Sequence, residues 1–123
     1  MTPKKKTAGV TFLDVVEAAR HLPEVEVSKS YGTPSIKVRD KMLARMKEDG
    51  ETLVLRVNLF EREYLLEAEP DAYFLTDHYR EYPVVLARLP ALTVERLRPR
   101  IEDAWRMRAP KRLADEYDRR ASA

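Results

Sequence analysis

Apolar residues recur along this chain with two different periods, and the changes of period divide it into elements. Phe12, Val15, Val16 and Ala19 share one face at helical spacing. Thr11 stands at the N-cap position, Asp14 follows three residues on to approximate a capping box, and Pro23 marks the exit. From Val25 to Val57 the period falls to two. Val25-Glu26-Val27 opens a strand and Tyr31-Gly32-Thr33-Pro34 reads as a turn. Residues 35–39 and 42–47 alternate, Glu48-Asp49-Gly50-Glu51 turns the chain again, and residues 53–57 follow. Short connections between alternating strands predict an antiparallel meander.

Beyond the meander the helical period returns. Asn58 can cap a second helix, with Glu61 at the reciprocal position and Phe60, Tyr64 and Ala68 as its buried stripe. Glu69-Pro70-Asp71 stops it. Strand-like segments at 72–75 and 84–89 flank a polar loop over 76–83. Thr93 caps a third helix in which Val94, Leu97, Ile101 and Ala104 share a face. Pro99 lies past its first turn, where the missing N–H predicts a bend. Pro110 is placed to open a fourth helix running towards Arg119. The fold class is therefore α+β, an antiparallel meander flanked by helices. Residues 1–10 read as a flexible basic tail around Lys4-Lys5-Lys6, and residues 11–123 as a single domain.

Composition narrows the function classes more than it names one. A chain of 123 residues with 44% apolar residues can bury a core without a disulfide or metal staple. Charged residues make up 36%, yet the net charge is only +2, too small for bulk electrostatics to imply a nucleic-acid partner. The absence of cysteine excludes thiol catalysis and thiolate metal sites, and fits a reducing cytosol. No apolar run approaches the ~20 residues of a membrane span, so the cytoplasm is the expected compartment and no membrane partner is expected. There is no G-x-S-x-G elbow, P-loop, G-x-G-x-x-G or H-E-x-x-H. Two histidines at no ligand spacing suggest no metal site. The expectation is a non-enzymatic protein with no catalytic residues and no cofactor.

Two places carry candidate binding chemistry. If Ile36, Val38, Met42, Ala44 and Met46 face the core, alternation sends Lys37, Arg39, Arg45 and Lys47 to the opposite face, where Arg56 can join them. Such a face could hold the phosphate backbone of DNA. It could equally be an ordinary solvated face, part-neutralised by Glu24 and Glu26 on the neighbouring strand. The second place is the loop 77–83. His78, Tyr79, Arg80 and Tyr82 could bind a small anionic ligand, stack a base or meet a protein partner. In the plainer reading Tyr79 and Tyr82 pack on the sheet edge while Asp77 or His78 ties the turn.

The remaining conspicuous residues have structural readings. The C-terminal arginines circle their helices, with Glu102–Arg106, Asp115–Arg119 and Glu116–Arg120 spaced for ion pairs. His21 sits at a helix end, and Trp105 reads as a core anchor.

Several stretches, taken in order, have a family character. They are Ser30-Tyr31-Gly32-Thr33-Pro34, Lys41-Met42, Thr76-Asp77-His78-Tyr79-Arg80-Glu81-Tyr82-Pro83-Val84-Val85-Leu86, Ala104-Trp105-Arg106 and Ala109-Pro110-Lys111-Arg112-Leu113. Together, across residues 12–117, they resemble the MmcQ/YjbR family. The resemblance implies a CyaY-like α+β fold. Through the likeness of that fold to the double-wing type of DNA-binding domain, it also implies DNA binding. It brings no catalytic residues with it, and Pro99 departs from the unbroken helix expected at that position.

Overall fold

Two-residue turns join the first three strands. In the computed structural model, which describes residues 9–122, β1 (Val25–Ser30) and β2 (Thr33–Val38) meet through Tyr31-Gly32. β2 and β3 (Lys41–Met46) meet through Arg39-Asp40. All four turn residues have positive φ, at 56°, 81°, 49° and 69°, the signature of type I′ hairpins. β4 (Thr52–Arg56) follows a turn in which the Asp49 carboxylate accepts from the Glu51 and Thr52 amides and the Thr52 hydroxyl. The chain then forms α2 (Leu59–Ala68), β5 (Tyr73–Phe74) and β6 (Val84–Arg88). The six strands are antiparallel in the order β1-β2-β3-β4-β6-β5, a meander extended by one crossover.

The helices pack on one face of this sheet. α1 (Phe12–Ala19) supplies Val15 and Ala19, α2 supplies Leu65, α3 (Val94–Arg108) supplies Leu97, Ile101, Ala104 and Trp105, and α4 (Lys111–Ser122) supplies Leu113. They close on Ile36, Val38, Ala44, Met46, Leu53, Leu55, Val85 and Ala87. Trp105 is fully buried and donates from Nε1 to the Pro23 carbonyl at 2.9 Å, as a core anchor should. The capping predictions at Thr11, Asn58 and Thr93 hold, each side-chain oxygen accepting the backbone N–H three residues on. α3 runs through Pro99 as one helix. Pro99 lies on its exposed side, where the Glu95 carbonyl left without a donor can reach water.

Several expectations are corrected. Met42 does not face the core. Ile36 pairs with Ala44 but Lys37 pairs with Met42, so Leu43 is an extra residue in β3. This bulge turns both Leu43 and Ala44 inward and sends Met42 to the opposite face. The stripe Phe60, Tyr64 and Ala68 on α2 is exposed, with Phe60 at 90%. The helix buries Leu65 and Arg62 instead, because that is the side turned towards β5 and β6. Glu61 does not reciprocate the cap; its carboxylate pairs with Arg100 on α3. Glu102–Arg106 forms at 3.1 Å, but Asp115 pairs with Lys111 at 2.9 Å rather than with Arg119. Glu116 and Arg120 form no ion pair among the described residues.

At the N-terminus, residues 1–8 of the expected tail, with the lysine triplet, lie outside the described residues. Gly9 and Val10 do not belong to a tail. Val10 is buried and its amide donates to the Leu89 carbonyl at 3.0 Å. Gly9, at φ 84°, passes so close to Pro90 that a Cβ would lie 2.4 Å from its Cα. Among the described residues no helix is long and apolar enough to cross a membrane.

Candidate functional site

The face of the sheet away from the helices carries its own small apolar cluster. Val54, Val84 and Leu86 are buried there, with Met42, Phe74 and Tyr79 packed against them. Alternation puts Val54, Val84 and Leu86 opposite Leu53, Leu55, Val85 and Ala87, whereas Met42 joins them through the bulge at Leu43.

What covers one side of this cluster is the loop between β5 and β6. A 3₁₀ turn over Asp77–Tyr79 is closed by the Tyr79 amide on the Thr76 carbonyl at 3.0 Å and an Asp77–Arg80 ion pair at 2.9 Å. Two arginines then pin the loop. Arg62 of α2, almost fully buried, donates to the carbonyls of Tyr82 at 2.8 Å, Val84 at 3.2 Å and Arg80 at 3.2 Å. Arg45 of β3 donates from Nη2 to the Tyr79 hydroxyl at 2.9 Å.

Between the pinned loop and the first hairpin lies a groove of about 720 Å³. Its apolar lining is Met42, Val54, Pro83 and Val84. Tyr31, His78, Tyr79 and Tyr82 supply aromatic walls, and Lys29, Lys37, Arg45 and Arg56 supply positive charge. Asp40 is the one carboxylate among the lining residues. A low net charge over the whole chain thus coexists with a locally cationic concavity.

The five cations expected on one face divide according to their partners. Lys37 lines the groove, half-buried, across from Glu26 in the β1–β2 register. Arg39 sits in the hairpin turn outside the groove, where Glu24 binds it; the hydrogen bond raises the Arg39 pKa and lowers that of Glu24. Arg45 lines the groove but is 9% exposed and committed, donating also to the Thr33 hydroxyl at 3.3 Å and the Met46 carbonyl at 3.2 Å. Lys47 lies just past β3, with its Nζ 5.7 Å from the Tyr79 ring centroid. Arg56 lines the groove with its Nε buried and unpartnered. Burial, followed by the nearby Arg108, lowers its pKa.

The loop residues divide as well. Tyr79 packs on the outer cluster, as the plainer reading expected, and His78 stands edge-on to it at 4.6 Å between centroids. Tyr82 is 55% exposed instead of packed. Arg80 does not line the groove and turns to Asp77. Lys37, Arg45 and Arg56 of the sheet face and His78, Tyr79 and Tyr82 of the loop thus line one groove, while Arg39, Lys47 and Arg80 lie outside it.

Four contributors were not singled out from sequence: Lys29, Tyr31, Asp40 and the pinning Arg62. The sequence marks a turn at residues 31–34, of which only Tyr31-Gly32 form the turn, but not the place of Tyr31 on the groove wall. Arg62 carries no local signal, because its acceptors lie 18 to 22 residues away.

Comparison with known proteins agrees with this architecture. The Deinococcus radiodurans protein DR2400, a solved structure of the DUF419 domain family, superposes with a TM-score of 0.67 over 79% of this chain and 77% of its own, at 21% identity. It shares the fold. Uncharacterised proteins of Mycobacterium tuberculosis and Mycobacterium bovis are 43% identical over 53 residues, which is 43% of this chain. The matched segment spans only 41% of the length of these curated relatives. The YjbR family profile matches residues 20–107, from the end of α1 through nearly all of α3, and the chain belongs to the YjbR family.

Proposed function

We propose that this chain is a non-enzymatic nucleic-acid-binding protein whose working surface is the outer-face groove. The observation that carries this reading is Arg56, a half-buried guanidinium at an apolar floor with no ion-pair or hydrogen-bond partner for its Nε among the described residues. A cation held in such a place is costly unless an anion completes it. Lys37 lines the same groove with no ion pair among the described residues, and a phosphate backbone would suit both cations. Arg45 is held by Thr33, Met46 and Tyr79, Arg39 is paired with Glu24, and Lys47 does not line the groove, so of the five expected cations this reading keeps Lys37 and Arg56.

A second reading has its own support. The groove volume falls in the range of small-molecule sites, and an anionic ligand with a planar part would meet the same residues. The test is fluorescence anisotropy of labelled single- and double-stranded DNA across a salt series. Binding that weakens steeply with salt, and weakens further in Lys37→Glu combined with Arg56→Glu, supports the nucleic-acid reading. Absence of binding to both forms at low salt overturns it.

A further inference from the structure

We infer that the groove receives an unstacked base of a single strand, and that Tyr31 is the residue on which this base stacks. The inference rests on the nucleic-acid reading and adds the form of the ligand. Three observations carry it.

The first is the composition of the groove. Met42 and Pro83, both half-buried, offer apolar surface over the buried Val54 and Val84 in a concavity of about 720 Å³. A duplex presents sugars and phosphates to a surface like this and keeps its base faces stacked inside. A single strand can turn a base outward, and the planar apolar face then meets the floor while the adjoining phosphates meet Lys37 and Arg56.

The second is the exposure of Tyr31. Its side chain is on the groove wall yet the residue is 85% exposed, so its ring buries little surface in the free protein. The Arg45 guanidinium lies 5.1 Å from the ring centroid, on a side chain already held by Thr33, Met46 and Tyr79. The ring therefore has one fixed cationic neighbour and open surface besides.

The third is backbone strain. Tyr31 occupies the first central position of a type I′ turn at φ 56°, a conformation that asparagine or glycine adopts more readily than a bulky residue. Gly32 beside it meets that requirement without cost. A large aromatic at the strained position, packing little of its ring, is what a ligand contact would require and what hairpin stability would disfavour.

The experiment uses the full chain, a labelled single-stranded thymidine oligonucleotide, its duplex with the complementary strand, and thymidine monophosphate as competitor. The oligonucleotide should bind more tightly than the duplex. Tyr31→Asn should lower single-strand affinity roughly ten-fold or more while leaving the thermal midpoint unchanged or higher. Tyr31→Trp should retain single-strand affinity. Three outcomes overturn the inference: equal or tighter duplex binding, unchanged affinity in Tyr31→Asn, or monophosphate binding as tight as that of the oligonucleotide. If Lys37→Glu with Arg56→Glu still weakens DNA binding in the first two cases, the nucleic-acid reading survives without the stacked base. If neither DNA form binds, both fall.

Discussion

The Arg45 guanidinium donates to the Tyr79 hydroxyl at 2.9 Å, tying β3 to a loop 34 residues further along the chain. This bond joins the sheet face to the loop and so helps to make one groove of two surfaces. Tyr79→Phe keeps the ring on Val54, Val84 and Leu86 but leaves a nearly buried donor short of an acceptor. The expected cost is about 1–2 kcal/mol, read as a lower denaturation midpoint in urea at unchanged slope.

Arg62 holds the same loop from the other side, through three backbone carbonyls. Arg62→Met retains the apolar stem and removes every one of those donors. About 2–3 kcal/mol of stability should be lost, and hydrogen exchange should accelerate first at residues 80–84. Exchange that accelerates evenly over the whole chain would show that Arg62 does not act on the loop in particular.

Tyr73 makes a prediction in pH. It is 2% exposed and its hydroxyl is buried without a partner. Burial, and next the carboxylate of Glu69, push its pKa up to about 12 from the ordinary 10.0. Between those values the folded chain holds a proton that the unfolded chain has released, so stability falls as pH rises through this window. The contribution is fully present below pH 10 and lost by about pH 12. Tyr73→Phe should remove this part of the alkaline decline. At neutral pH the same variant should be neutral or slightly more stable, since it deletes a buried hydroxyl with no partner. Denaturation curves for both proteins at a series of alkaline pH values decide it.

Binding should separate the cations by their partners. Lys37→Ala and Arg56→Ala should each reduce the dependence of log affinity on log salt, by roughly 0.7 for a single strand. Arg39→Ala should leave that slope unchanged, because Arg39 lies in the hairpin turn with Glu24. A slope that drops equally in all three variants would return the contact surface to the whole basic face.

What the sequence by itself determined is the local part of this protein. Thr11, Asn58 and Thr93 announce their helices because a cap is a hydrogen bond to an amide three residues away. The strands are legible because apolar and polar residues alternate, and the family character lies in short stretches in a fixed order. Tertiary structure decided which faces acquired partners. Nothing near Leu43 marks the bulge that turns Met42 outward; it exists because two strands pair out of step. Phe60 and Leu65 belong to different faces of one helix, and only packing against β5 and β6 chose between them. The groove depends on the Arg45 and Arg62 bonds, which cross 18 to 34 residues of chain. Periodicity reports how a segment satisfies its own backbone, whereas a site formed by distant segments depends on where the fold brings them together.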